Sequence, residues 1–209
     1  METSYGPALH TSEMRIDTSL LKQIRLLEGQ WEECVMDNFY EGIHEGLHFS
    51  VANVTLYHLY QGGHIRDGRE TRRDRVFHGL VLRWETSHAI PHSISIYERT
   101  KEKTDDASFG KEPFAYRFGS IAEGEIDMVY KLQLMEWIDQ LEQNIEGKVR
   151  SLYGEGNILS MAIETDYVFA SVASHVDRNH VSDLRRSYSQ SVQEIGHILD
   201  LLQAHSPWK

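Results

Sequence analysis

The chain has 209 residues, of which 40% are hydrophobic and 25% charged; this is the composition of a globular protein, not of a disordered one. A formal charge of -11 argues against nucleic acid or an anionic membrane surface as a partner, because both repel a polyanion at long range. With Cys34 as the only cysteine, no intrachain disulfide can form, and a reducing, cytoplasmic compartment is the expectation.

Residues 1–14 are polar and contain Gly6 and Pro7, the pattern of a loose arm without the basic and apolar regions of a secretory signal. Asp17, Thr18 or Ser19 can cap a short helix whose apolar positions Leu20, Leu21, Ile24 and Leu27 recur every three or four residues until Gly29. From Trp31 the period changes to alternation, most clearly over His48 to Tyr60, which predicts a strand. Gly62-Gly63 signals a turn, and His64 to Arg75 reads as a polar edge strand or a long hairpin loop. Val76 to Thr86, Ser93 to Thr100, Phe114 to Ile121 and Ile126 to Leu132 are further strand candidates. Short turns between successive strands predict an antiparallel meander, closed into a barrel or strongly curved.

A helical stripe then runs through Met128, Leu132, Met135, Ile138, Leu141, Ile145, Val149 and Leu152. Gly154-Glu155-Gly156 breaks it, Ile158 to Val176 is apolar around most of a helix circumference, and Val181 to Gln203 carries another stripe. The expectation is an α+β chain: an arm over 1–14, a short helix and barrel over 15–133, and a helical C-terminal region over 134–209. Apolar helix seams suggest a homo-oligomer or docking on the chain's own barrel. No stretch is apolar enough over a span's length to cross a bilayer.

The run Leu26-Leu27-Glu28-Gly29-Gln30-Trp31, a short helix leading into Gly-x-Trp, resembles the opening of a lipocalin-like (calycin) barrel over residues 20 to 134. The resemblance implies that Trp31 plugs the closed end of the barrel, with a late basic side chain, Arg117 or Lys131, lying over it by cation-π contact. It also implies a cup that binds a small molecule.

His44-Glu45-Gly46-Leu47-His48 matches the zinc-hydrolase pattern H-E-x-x-H, in which two histidines one helical turn apart bind Zn²⁺ and the glutamate acts as base. Glu70 lies where some such enzymes place a third, acidic ligand. The pattern requires a helix, however, and two glycines and a following strand weaken one here. Gln193-Glu194-Ile195-Gly196-His197 is a near-match and reads as ordinary amphipathic helix. Arg66, Arg69, Arg72, Arg73 and Arg75 crowd ten residues; they suit a clamp for a phosphate or carboxylate, against the more ordinary reading of a solvated hairpin laced with ion pairs.

The leading expectation is a non-catalytic protein that binds a small, anionic molecule through Tyr57, Arg66, Arg69, Arg72, Arg73, Trp84 and Tyr97, with no cofactor and with helix-mediated dimerisation. One alternative is a zinc hydrolase with His44 and His48 as ligands and Glu45 as base. Another is a scaffold acting through its C-terminal helices.

Overall fold

The computed structural model describes residues 18–61, 71–91, 93–98, 117–122, 128–167, 181–204 and 206–208. The expected arm over 1–14 and Arg66, Arg69 and Glu70 lie outside these residues. Helix α1 (Thr18–Gln23) and a 3-10 turn (Leu26–Gly29) precede a long meander of β1 (Glu33–His44), β2 (Leu47–Gln61) and β3 (Thr71–Glu85). Strands β4 (Ile94–Glu98) and β5 (Phe118–Ala122), helix α2 (Met128–Asn144), strands β6 (Lys148–Glu155) and β7 (Ile158–Glu164), and helix α3 (Val181–Ala204) complete the order. Among the described residues, no helix is long and apolar enough to cross a membrane.

All seven strands form one antiparallel sheet in the order β1-β2-β3-β7-β6-β4-β5. Only β1 to β5 lie within residues 15–133, where the strands are expected, and the sheet is not closed: among the described residues β1 and β5 are its edges, so it is an open layer between two cores. The meander also stops at β3. The β6–β7 hairpin, drawn from the region expected to be wholly helical, is inserted between β3 and β4. Ile126 to Leu132 is likewise not a strand where it is described, because α2 begins at Met128.

Residue alternation divides the apolar side chains between the two faces of the sheet. Ala52, Val54 and Leu56 of β2, Phe77 and Val81 of β3, and Ala162 of β7 face α1, where Leu20, Leu21, Ile24 and Leu26 cover them. Val51, Leu80, Leu82, Trp84, Met161 and Ile163 face the opposite way and meet Leu134, Trp137, Ile138 and Leu141 of α2 and Ile195, Leu199 and Leu202 of α3. The stripe of α2 from Leu134 and that of α3 from Ile195 therefore dock within the chain. At the start of α2, Met128, Val129 and Leu132 are exposed. The chain's end is pinned to the same core by Trp208, whose ring packs edge-on against Trp137 at 5.1 Å between centroids.

Trp31 packs against the α1-facing core. Arg117 does not lie over it as the lipocalin resemblance implies. Its guanidinium stands 4.5 Å from the centre of the Phe118 ring and donates to Glu142 Oε2 of α2 at 2.7 Å and to the Val149 carbonyl at 3.1 Å. Val149 N–H donates to Glu142 Oε1 at 2.7 Å, so this carboxylate ties α2 to β6 and to the residue just before β5.

Candidate functional site

The H-E-x-x-H run folds as a β-hairpin. Glu45 and Gly46 form the two-residue loop with φ of 49° and 84°, and His44 pairs with Leu47 across it, as a tight hairpin whose two central residues have positive φ requires. Strand alternation then sends His44 to the helix-covered face and His48, paired with Ile43, to the opposite one. Two imidazoles on opposite sides of a sheet cannot hold one ion. His44 is buried and instead bonds Asp200 of α3 through Nε2 at 2.6 Å, fastening the edge strand to the C-terminal helix. Among the described residues, no group of three or more His, Cys, Asp or Glu side chains is arranged to hold a metal ion.

The aromatic and arginine residues expected to meet a ligand are scattered. Trp84 is buried in the helix-facing core. Tyr97 lies beneath Arg25, whose guanidinium is 4.9 Å from the ring centre. Arg73 is held by Glu33 and stands 5.2 Å from the centre of the Tyr57 ring, while Arg72 is exposed. His48 and Trp84 do border one common cleft of about 530 Å³ at the β1–β2 hairpin, with Glu41, Ser50, Arg83 and Glu85. That cleft alternates opposite charges on an open strand surface.

A second concavity has a different character. It lies between α3 and the helix-facing side of the sheet, has a volume of about 600 Å³, and is floored by Leu80 of β3, Ile163 of β7, Ile145 and Ile198. The polar groups at its wall come from three places. Asn144 ends α2 and Glu146 stands in the turn after it. Gln190, Gln193, Glu194 and His197 recur on one side of α3 at three- and four-residue spacing. Tyr167 and Thr165 come from the segment just after β7.

Thr165 sets the shape of this wall. Its N–H donates to the His78 carbonyl at 3.1 Å, and its hydroxyl donates to the Glu146 carbonyl at 2.5 Å and accepts the Tyr167 N–H at 3.1 Å. One nearly buried side chain thus joins β3, the turn after α2 and the backbone of Tyr167. Behind it, the His78 ring meets the Thr55 hydroxyl at 2.9 Å. The Tyr167 hydroxyl lies against Glu194 and Ser191; burial, then the Glu194 carboxylate, push this phenol up to about 12. It is therefore a neutral hydrogen-bonding group at ordinary pH.

The decisive atom is on Glu194. Its Oε1 accepts from Gln190 at 3.2 Å, whereas Oε2 is buried and has no hydrogen-bond partner among the described residues. A buried carboxylate oxygen left without a donor costs free energy that a bound donor recovers. No lysine or arginine among the described residues lines the groove. An apolar floor with a few converging polar groups is the usual make-up of a small-molecule site.

Sequence reasoning did not select Tyr167, Glu194 or His197. The available signal was Gln193-Glu194-Ile195-Gly196-His197, whose first, second and last residues all line the groove; the spacing was real, although its match to a zinc motif was not informative.

Cys34 packs with the α1-facing core, and burial pushes its thiol up to about 11. At pH 8 its thiolate fraction is about 100-fold below that of a thiol at the ordinary 9.0. Alkylation of the native protein by iodoacetamide is accordingly expected to be about 100-fold slower than that of the denatured chain at pH 8, and to accelerate about tenfold per pH unit up to about 11. Equal native and denatured rates would contradict the burial.

Comparison with protein-family models, with curated proteins and with solved structures gives no match for this chain.

Proposed function

We propose that the chain is a non-catalytic protein that binds a small organic molecule in the groove between α3 and the sheet. The observation that carries this reading is the Glu194 Oε2 atom, buried and unpartnered among the described residues at the wall of a groove whose floor is apolar. The cavity's volume of about 600 Å³ falls within the range of roughly 300–1,000 Å³ common to ligand pockets. The groove presents a carboxylate, so the ligand proposed for it differs from the anion suggested by the arginine run; of that run Arg73 is held by Glu33, and Arg66 and Arg69 lie outside the described residues.

Filling the groove tests the proposal. Ile198 is partly buried on its wall, so Ile198→Trp adds volume into open space. Binding of a neutral naphthalene fluorophore, followed by its emission, is expected to weaken at least about tenfold, the effect of losing ~1.4 kcal/mol of contact, while far-UV circular dichroism is unchanged. Equal affinity in the two proteins would place the binding site elsewhere.

A further inference from the structure

We infer that the ligand is an amphiphilic primary or secondary ammonium compound, its N–H directed at Glu194 and its apolar body lying along Leu80, Ile145, Ile163 and Ile198. This inference rests on the groove being the ligand site and adds the chemical class.

The argument begins with what Glu194 lacks. Gln190 donates to Oε1 and the Tyr167 hydroxyl is hydrogen-bonded toward the same carboxylate, both neutral donors, while Oε2 accepts none among the described residues. A neutral hydroxyl could satisfy the lone pair, in a bond already strengthened by the ionised acceptor, but would leave the charge uncompensated; an ammonium supplies both the donor and the opposite charge. The other polar groups at the wall are compatible with this. Tyr167, held neutral with its phenol pushed up to about 12, offers oxygen lone pairs, and Gln190 and Gln193 offer amide oxygens. An anionic head would meet the Glu194 carboxylate with no lysine or arginine among the described lining residues to offset it.

The same wall separates ammonium types. A quaternary ammonium has no N–H and depends on several aromatic faces for recognition, whereas among the described lining residues Tyr167 is the one Phe, Tyr or Trp. The preference is therefore for a head that donates hydrogen bonds. Four isoleucine or leucine side chains on the floor ask for an aliphatic body, and shape places no further demand on it.

Four eight-carbon probes isolate these terms: octylammonium, octyltrimethylammonium, 1-octanol and octanoate. Each is titrated into the full chain at pH 7.5 and followed through the methyl NMR signals of Leu80, Ile163 and Ile198. Octylammonium is expected to bind at least about tenfold more tightly than 1-octanol and octyltrimethylammonium, with octanoate weakest. In Glu194→Gln, the advantage over 1-octanol is expected to fall to within about twofold, with 1-octanol binding retained. Octanoate binding as tightly as octylammonium, or a tenfold preference that survives Glu194→Gln, would overturn the ammonium assignment while leaving the groove as a site. If none of the four probes moves these methyl signals, the groove reading itself fails and the inference with it. The ranking in the unmodified protein decides the matter even if the Glu194 variant does not fold.

Discussion

Gly79→Ala is expected to destabilise the protein by roughly 3 kcal/mol or more, at the upper end of single-substitution effects. Gly79 pairs with Glu164 where β3 meets β7. A Cβ added there would be driven onto the Ile163 carbonyl oxygen and would lie 2.9 Å from Glu164 Cα. Both atoms are backbone, so no side-chain rotation relieves the contact; the strands must separate locally. Urea denaturation followed by circular dichroism measures the loss. The result also tests the topology: if residues 158–164 were helical and remote from β3, as their sequence pattern suggests, alanine at this strand position would cost at most about 1 kcal/mol.

Trp137→Ala is expected to cost about 3–5 kcal/mol, the usual range for emptying the site of a buried large aromatic side chain. Trp137 is 1% exposed, the largest of the fully buried side chains, and its ring is the surface against which Trp208 closes the chain's end. Its Nε1 is buried without an acceptor among the described residues, so the indole N–H contributes nothing that phenylalanine would forfeit. Trp137→Phe is consequently expected to retain most of the stability, with a loss nearer 1 kcal/mol. In a chain of this size, each kcal/mol lowers the melting temperature by roughly 2–4 °C, so thermal scans should separate the two variants by at least about 4 °C. Identical melting temperatures would mean that α2 does not sit on the sheet through this residue.

These two sites also mark what the sequence could and could not disclose. β2 was legible because it presents different partners on its two faces, and alternation over His48 to Tyr60 survives in the composition of each face. β7 was not. Ile158–Glu164 is buried over Leu159 to Ile163 because it lies between β3 and β6, with α1 beneath and α2 and α3 above. A strand covered on both faces has a continuous apolar run, which periodicity alone cannot distinguish from a buried helix. The supposed helix break at Gly154-Glu155-Gly156 is the end of β6 and the start of a tight turn into β7, with Glu155 paired to Ile158.

The same contrast applies to the functional residues. His44 and His48 form a sequence motif that depends on helical spacing, and the hairpin at Glu45-Gly46 gives them opposite faces. The groove, conversely, draws on β3, β7, the turn after α2 and one side of α3, with more than 100 residues between Leu80 and Glu194. Only the α3 portion has a local signature. Its union with Tyr167 and Ile163 follows from the insertion of the β6–β7 hairpin beside β3, which no short-range pattern encodes.

If the groove between α3 and the sheet takes a small organic molecule, a neutral apolar probe added to the protein will be found there. Methyl-resolved NMR during titration with 1-octanol is predicted to shift signals of Leu80, Ile145, Ile163 and Ile198 together, with one saturable midpoint. Unmoved signals at these residues, or shifts confined to Ile43 and Ile158 at the β1–β2 hairpin cleft, would contradict it.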